Sequence, residues 1–246
     1  MSGGRGASAA ETAVEACERA IRRALLAGDY APGERLPPER AFAETLGVNR
    51  TTLRAALGRL ASARLLAVRQ GSGYLVQDYR EVAGLELLPD LAELQRERGE
   101  SIGPMVAELL EVRRRIAVMA LEKIASRATA KTLDTSGIEA AVGHFAKLAA
   151  EGATLDQLAE GDLGVTAAVL EATGSPVLGL ILNPVSFVVR ELEPLRQAIY
   201  REPAGIALGH QMLLAWLAEP QLSAIPMVVS ELQRRDAATA ELVSRS

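Results

Sequence analysis

Residues 47–60 read GVNRTTLRAALGRL, and this stretch restricts the fold more tightly than any other. Gly47 suits the left-handed conformation that stops a helix. Asn49 is a good N-cap, and after it Leu53, Leu57 and Leu60 recur at helical spacing. One helix must therefore end before residue 47 and another begin near Arg50. Upstream, Phe42, Ala43 and Leu46 form an apolar stripe on a short helix over roughly residues 38–46. Two short helices joined by a three- or four-residue turn containing glycine make a helix-turn-helix. The second helix, predicted from about Arg50 to Ala63, carries its polar cluster in the first turn. Side chains and free backbone N–H groups point out together there, ready for an anion. A helix of this kind suits insertion into DNA by its first turn.

The flanking sequence completes a small domain. Val14, Cys17, Ile21, Ala24 and Leu25 share one face of a first helix that ends near Gly28. The stretch DYAPGERLPPER is a loop punctuated by proline and glycine. Beyond the third helix, Leu66 and Val68, then Tyr74 and Val76, can alternate on two strands, with RQGSG as the hairpin tip. Three helices followed by a hairpin make a winged helix. Arg69, Gln70 and Ser72 stand at the wing tip, where backbone or minor groove is within reach. The first 12 residues are small and polar and are expected to be disordered. Cys17 falls on an apolar stripe, so a buried structural thiol is expected.

Charge divides the chain. The total is −4, yet from Ala13 to Arg80 eleven Lys and Arg stand against seven Asp and Glu, net +4. From Glu81 onward fifteen stand against twenty-three, net −8. A basic front joined to an acidic remainder points to a nucleic-acid module attached to something else. The lone cysteine excludes an intramolecular disulfide and fits a reducing cytoplasm. Charges break every apolar run before membrane-spanning length, and no signal peptide is evident.

Beyond Glu81 the pattern is helical throughout. GPMVAELLEVRRRIAVMALEKIASRA is a long amphipathic helix. SPVLGLILNPVSFVVRELEPL is strongly apolar, with prolines at 184 and 194. Six or seven helices suit an antiparallel bundle able to enclose a small-molecule cavity. Arg113, Arg114 and Arg115 fan over about 200° of helix, so at least one must face solvent. The fold class is thus mainly α: an N-terminal winged helix-turn-helix with a small β-hairpin wing, then an all-α antiparallel bundle. The expected organisation is a winged helix over 13–77, a linker over 78–84 and a helical effector-binding and dimerisation domain over 85–246. Leu85, Leu87, Leu88 and Leu91 are placed to pack against both domains. No Walker loop, nucleophile elbow, zinc signature or acid–base constellation is present, so neither an enzyme nor a cofactor is expected. A helical-bundle enzyme with an ancillary DNA-binding domain, or a DNA-coating protein of low sequence preference, are the rival classes.

LPPERAFAETLGVNRTTLRAALGRLASARLLAVRQGSG resembles the DNA-binding domain of GntR-family bacterial repressors. A Leu-Pro-x-Glu-Arg start, a Gly-Val-x-Arg turn, a Thr-Leu-Arg helix and a glycine-bearing wing stand in the family's order. YREVAGLELLPDLAEL, LLEVRRRIA and ATGSPVLGLILN resemble the linker and helical domain of the FadR group, the acyl-CoA-responsive regulators of fatty-acid metabolism. The resemblance implies a homodimer on a pseudo-palindromic operator. It assigns DNA contacts to Arg40, Asn49, Arg50, Thr51, Thr52, Arg54, Gln70, Gly71 and Ser72. Asn49 stands where the group often has threonine, and Gln70 and Ser72 replace a histidine and a lysine. Arg113 matches an arginine that relatives direct into the ligand cavity, where it pairs with carboxylate or phosphate. Asp162 and His210 match two of four metal ligands of many relatives. Thr166 replaces the third, and no histidine lies near Ser230, so no metal is expected. Arg113, Asp162 and His210 are instead expected around an effector, with apolar residues of GLILNPVSFVV about its tail. The C-terminal LQRRDAATAEL departs from the Gly-His-Glu-Ser-Gly run with which the FadR group handles coenzyme A. The expected effector is a small anion, with acyl-CoA, another acyl thioester, small organic acids or no ligand at all left open.

Overall fold

The computed structural model describes residues 12–69 and 73–245, in two compact units divided between Leu94 and Gln95. Of the expectations above, the disordered start and the wing-tip residues Gln70, Gly71 and Ser72 fall outside the described residues, Thr12 apart.

The front unit opens with α1 (Ala13–Ala27). Thr12 and Glu15 form a reciprocal capping box: the Thr12 hydroxyl accepts the Glu15 N–H at 3.3 Å, and the Glu15 carboxylate accepts the Thr12 N–H at 2.9 Å. Thr12 is therefore the cap of the first helix. Gly28, at φ 87°, ends it. α2 (Glu39–Leu46) and α3 (Arg50–Ser62) are separated by Gly47, Val48 and Asn49. Gly47 takes φ 66°, and the Asn49 side-chain oxygen accepts the Thr52 N–H at 2.8 Å. The helix-turn-helix is thus built by the stop and the cap that its sequence announces. β1 (Leu66–Arg69) and β2 (Gly73–Val76) pair antiparallel, Leu66 opposite Val76 and Arg69 opposite Gly73. The chain before α2 joins this hairpin. Leu36 N–H donates to Tyr74 O at 3.0 Å, Val76 N–H to Glu34 O at 2.8 Å, and Arg35 bridges to Leu75.

Ile21, Leu53, Leu57, Leu60, Leu65 and Leu66 are fully buried and tie α1, α3 and the hairpin into one core. Cys17 lies in it, and burial raises its thiol pKa, as suits an inert packing residue. Past the hairpin come the single turn α4 (Tyr79–Val82), a 3-10 turn over Leu85–Leu87 and α5 (Leu88–Glu97). Leu87 and Leu94 are buried in the front core, with Tyr79, Ala83 and Leu91 packed against it. Arg22 of α1 binds Asp90 of α5 at 3.1 Å. The stretch expected as a linker at 78–84, and the first ten positions assigned to the helical domain, therefore belong to the front unit.

The second unit holds seven α-helices beyond α5: α6 (Gly103–Thr129), α7 (Ser136–Glu151), α8 (Leu155–Ala172), α9 (Pro176–Glu191), α10 (Glu193–Ile199), α11 (Pro203–Ala218) and α12 (Ile225–Ser244). α6 packs along α12, and α7 packs between α8 and α11. The apolar run through residue 195 is two helices rather than one. Pro194 has no N–H to give a continuing helix and its ring would clash with the carbonyl four residues back, so the chain breaks at Leu192, at ψ 91°, and Pro194 sits in the first turn of α10. Pro184 is tolerated inside α9. Gly161 lets α8 approach α7 closely: a Cβ there would stand 2.7 Å from Leu148.

Candidate nucleic-acid interface and effector cavity

In the front unit the first two turns of α3 present Arg50, Thr51 and Arg54 to solvent, with Arg40 exposed on α2. Arg54 Nη2 and Nε reach the two carboxylate oxygens of Glu39 at 2.7 and 3.4 Å, and Arg50 stands 3.9 Å from the same carboxylate. The Arg54 guanidinium holds the Glu39 carboxyl below its ordinary range, and Glu39 strengthens Arg54's hold on its proton. Arg40 pairs with Glu44 one turn on, at 3.2 Å. Asn49 spends its side-chain oxygen on the cap, leaving its amide nitrogen to donate. Thr52 differs from the other expected contacts. It is 9% exposed, with its N–H taken by Asn49, so it stands on the core side of the helix. Arg59 turns to Glu18 of α1 at 3.4 Å. Glu39 was not singled out from the sequence. Its signal was present as the glutamate of LPPER, fifteen residues before Arg54.

The second unit encloses a cavity of about 490 Å³ bounded by α6, α8, α11 and α12, within the roughly 300–1,000 Å³ usual for small-ligand sites. Arg113, Asp162 and His210 all line it. His210 Nε2 stands 2.9 Å from Asp162 Oδ1, and the Tyr200 hydroxyl donates to Asp162 Oδ2 at 3.1 Å. Burial pushes the Asp162 carboxyl up, but the hydrogen bond and field of His210, with Arg113 and Tyr200, more than offset it. Its pKa therefore lies below the aspartate range. An ionised carboxylate only accepts, so Nε2 carries the proton of the pair. Burial, then Asp162, raises the Tyr200 phenol far above its ordinary range, keeping it a donor. His210 also packs edge-on against Phe145 at 4.8 Å.

Arg113 donates to Asp236 Oδ1 at 2.8 Å, and Arg114 to Asp236 Oδ2 at 2.6 Å. Asp236 is 6% exposed at its side chain, a buried acid clamped by two guanidinium groups. Arg115 faces out and pairs with Glu111, as the fan of three arginines requires. The expected tail-lining segment contributes little, since only Leu182 of GLILNPVSFVV reaches this cavity. Val177, Leu180 and Ile181 of α9 are exposed instead. Tyr200, Arg235 and Asp236 were not anticipated. The residues also do not fit a metal. Asp162 and His210 bond to each other, Thr166 lines the cavity where a third ligand would be, and among the described residues no three His, Cys, Asp or Glu side chains gather to hold an ion.

The front unit is thus a winged helix whose third helix is fronted by exposed arginines, and the second unit is a helical bundle holding a polar-ended cavity. The chain matches, over residues 13–76 of its front unit, the family described as bacterial regulatory proteins, gntR family. It is 32% identical over 154 residues to a fatty acid metabolism regulator protein of Enterobacter sp. (strain 638), a match covering 63% of this chain and 59% of that protein's length. It is 45% identical over 103 residues to the HTH-type transcriptional regulator Mce2R of Mycobacterium tuberculosis, covering 40% and 42%. In fold it is similar over 96% of its length to Lar, which controls expression of the Listeria monocytogenes agr system, with a TM-score of 0.60 at 14% identity, covering 98% of that chain. Among the described residues no helix is long and apolar enough to cross a membrane.

Proposed function

We propose that this protein is a ligand-responsive bacterial transcription regulator that acts as a homodimer on a pseudo-palindromic operator. The observation that carries this reading is the exposed pair Arg50 and Arg54 on the first turns of a helix that a glycine stop and an asparagine cap hold at the surface of a gntR-family domain. Arginine bidentate to guanine O6 and N7 is the commonest specific base contact, and exposed hydroxyls and further arginines hold phosphates. Arg40, Asn49, Arg50, Thr51 and Arg54 are the contact set of the described residues, and the wing adds Gln70, Gly71 and Ser72. Two such helices on a two-fold axis would read half-sites about one helical turn apart.

The bundle cavity is the effector site in this reading, taking a small anion. An effector changes DNA affinity only by binding the DNA-competent and incompetent dimers unequally. Acyl-CoA thioesters enter as candidates from the fatty acid metabolism regulators, and small organic acids from the cavity's arginines. The test is selection of bound fragments from random-sequence DNA by the full-length protein. Enrichment of a palindrome over competitor is expected, followed by its release when a panel of acyl-CoA thioesters and carboxylates is titrated in. Uniform binding of all sequences would replace the regulator by a DNA-coating protein.

A further inference from the structure

Arg113 is poorly placed to receive an effector's charge. Its guanidinium donates to Asp236, and Arg114 holds the other oxygen of the same carboxylate. The next residue on α12 is a different case. Arg235 lines the cavity, half-buried, and makes no hydrogen bond or ion pair within 4 Å among the described residues. Both carboxylates in its field are already satisfied, Asp162 by His210 and Tyr200, Asp236 by the two arginines. Burial weakens Arg235's hold on its proton, which those two carboxylates only partly oppose. A half-buried cation without a hydrogen-bonded partner is partly stripped of water, and a carboxylate from outside would offset that cost.

The charge inventory sets the ligand class. Arg113, Arg114 and Arg235 stand with Asp162 and Asp236, three guanidinium groups to two carboxylates, and Tyr200 keeps its proton. At the margin Glu231 pairs with Arg234, and Arg201 adjoins Glu202. The rest of the wall is apolar, including Ile116, Leu121, Val165, Ile206, Leu213 and Leu242. We infer that Arg235 receives the carboxylate of a monoanionic effector whose apolar tail lies among these side chains. The inference rests on the effector reading of the cavity. A second negative charge would meet Asp162 and Asp236, so a coenzyme A thioester, with several phosphate charges and no free carboxylate, is the wrong occupant.

The experiment is calorimetric titration of the full-length protein with octanoate, decanoate, decanol and octanoyl-CoA, repeated on Arg235→Ala, Arg235→Gln, Arg235→Lys and Arg113→Ala. The carboxylates are expected to bind wild type, decanol at least about tenfold more weakly, and octanoyl-CoA not at all. Loss of a charge-assisted contact should weaken carboxylate binding about tenfold or more in Arg235→Ala and Arg235→Gln, with partial recovery in Arg235→Lys. Without ligand, neither neutral variant should melt below wild type, because no native partner is lost. Carboxylate binding that survives in Arg235→Ala and Arg235→Gln but fails in Arg113→Ala overturns the assignment and leaves the effector reading intact. So does tight binding of octanoyl-CoA alone. Failure of every compound to bind wild type removes both.

Discussion

At the scale of single residues, the two ends of this chain use arginine differently. On α3 the arginines are exposed and exchangeable. Replacing Arg54 by alanine should cost about 1–3 kcal/mol per half-site and relax base preference, read by competition binding against operator variants. In the bundle the arginines are structural: Asp236→Ala would leave Arg113 and Arg114 half-buried and unpaired, a loss of about 3–5 kcal/mol in urea unfolding. Asp162 adds a pH dependence. Its folded-state pKa lies below the ordinary aspartate value, so its stabilising contribution is complete above about pH 4 and drains away as the pH falls through the depressed value. Asp162→Asn should therefore be less stable than wild type by about 1.5–3 kcal/mol at neutral pH. The two should converge in acid-range urea melts once the pH has fallen through that depressed value. The Asp162–His210 pair could be suspected from sequence because both residues fit a family pattern. Tyr200, Arg235 and Asp236 could not. Asp236 meets Arg113 across 123 positions, and helical periodicity says which face is buried but not which distant polar group arrives there.

At the scale of elements, legibility follows locality. The glycine stop, the asparagine cap and the leucine stripe are neighbours in sequence, so the turn between α2 and α3 could be placed to the residue. Gly47 at φ 66° has open space around it. The cost of a side chain there is therefore backbone strain alone, and Gly47→Ala should lose about 1–2 kcal/mol, with Gly47→Asn losing less. Thermal melting of the two variants checks this. α9 was less transparent. An apolar run with internal prolines is equally compatible with a cavity wall and an outer face, and only packing decides. The break before α10 could have been read from Pro194, which a continuous helix cannot accommodate there but the first turn of a new one can. Leu85, Leu87, Leu88 and Leu91 posed the same ambiguity, and Leu87, Leu91 and Leu94 turn to the front core.

At the scale of the whole molecule, that choice decides what can be separated from what. A fragment of residues 1–98 keeps Leu87 and Leu94 in their core, whereas one of residues 1–77 opens the surface they cover. Each lost buried leucine is worth about 2–5 kcal/mol, so the shorter fragment should melt well below the longer one in circular dichroism. Charge, too, is a property of the whole. The logarithm of DNA affinity should fall linearly with the logarithm of salt concentration, and Arg40→Ala should lower the steepness of that slope by about one. Glu39 gives this a further turn. It occupies Arg54 and leans on Arg50, so, if these arginines meet DNA as proposed, a non-operator duplex would first have to displace a carboxylate. Glu39→Gln should therefore tighten binding to random-sequence DNA more than to operator, as a titration against both would register. A bacterial chromosome offers a million or more wrong addresses, about 10⁶ at the least. One glutamate that made each of them slightly less sticky would shorten every false stop and leave more of the protein free to find the right one.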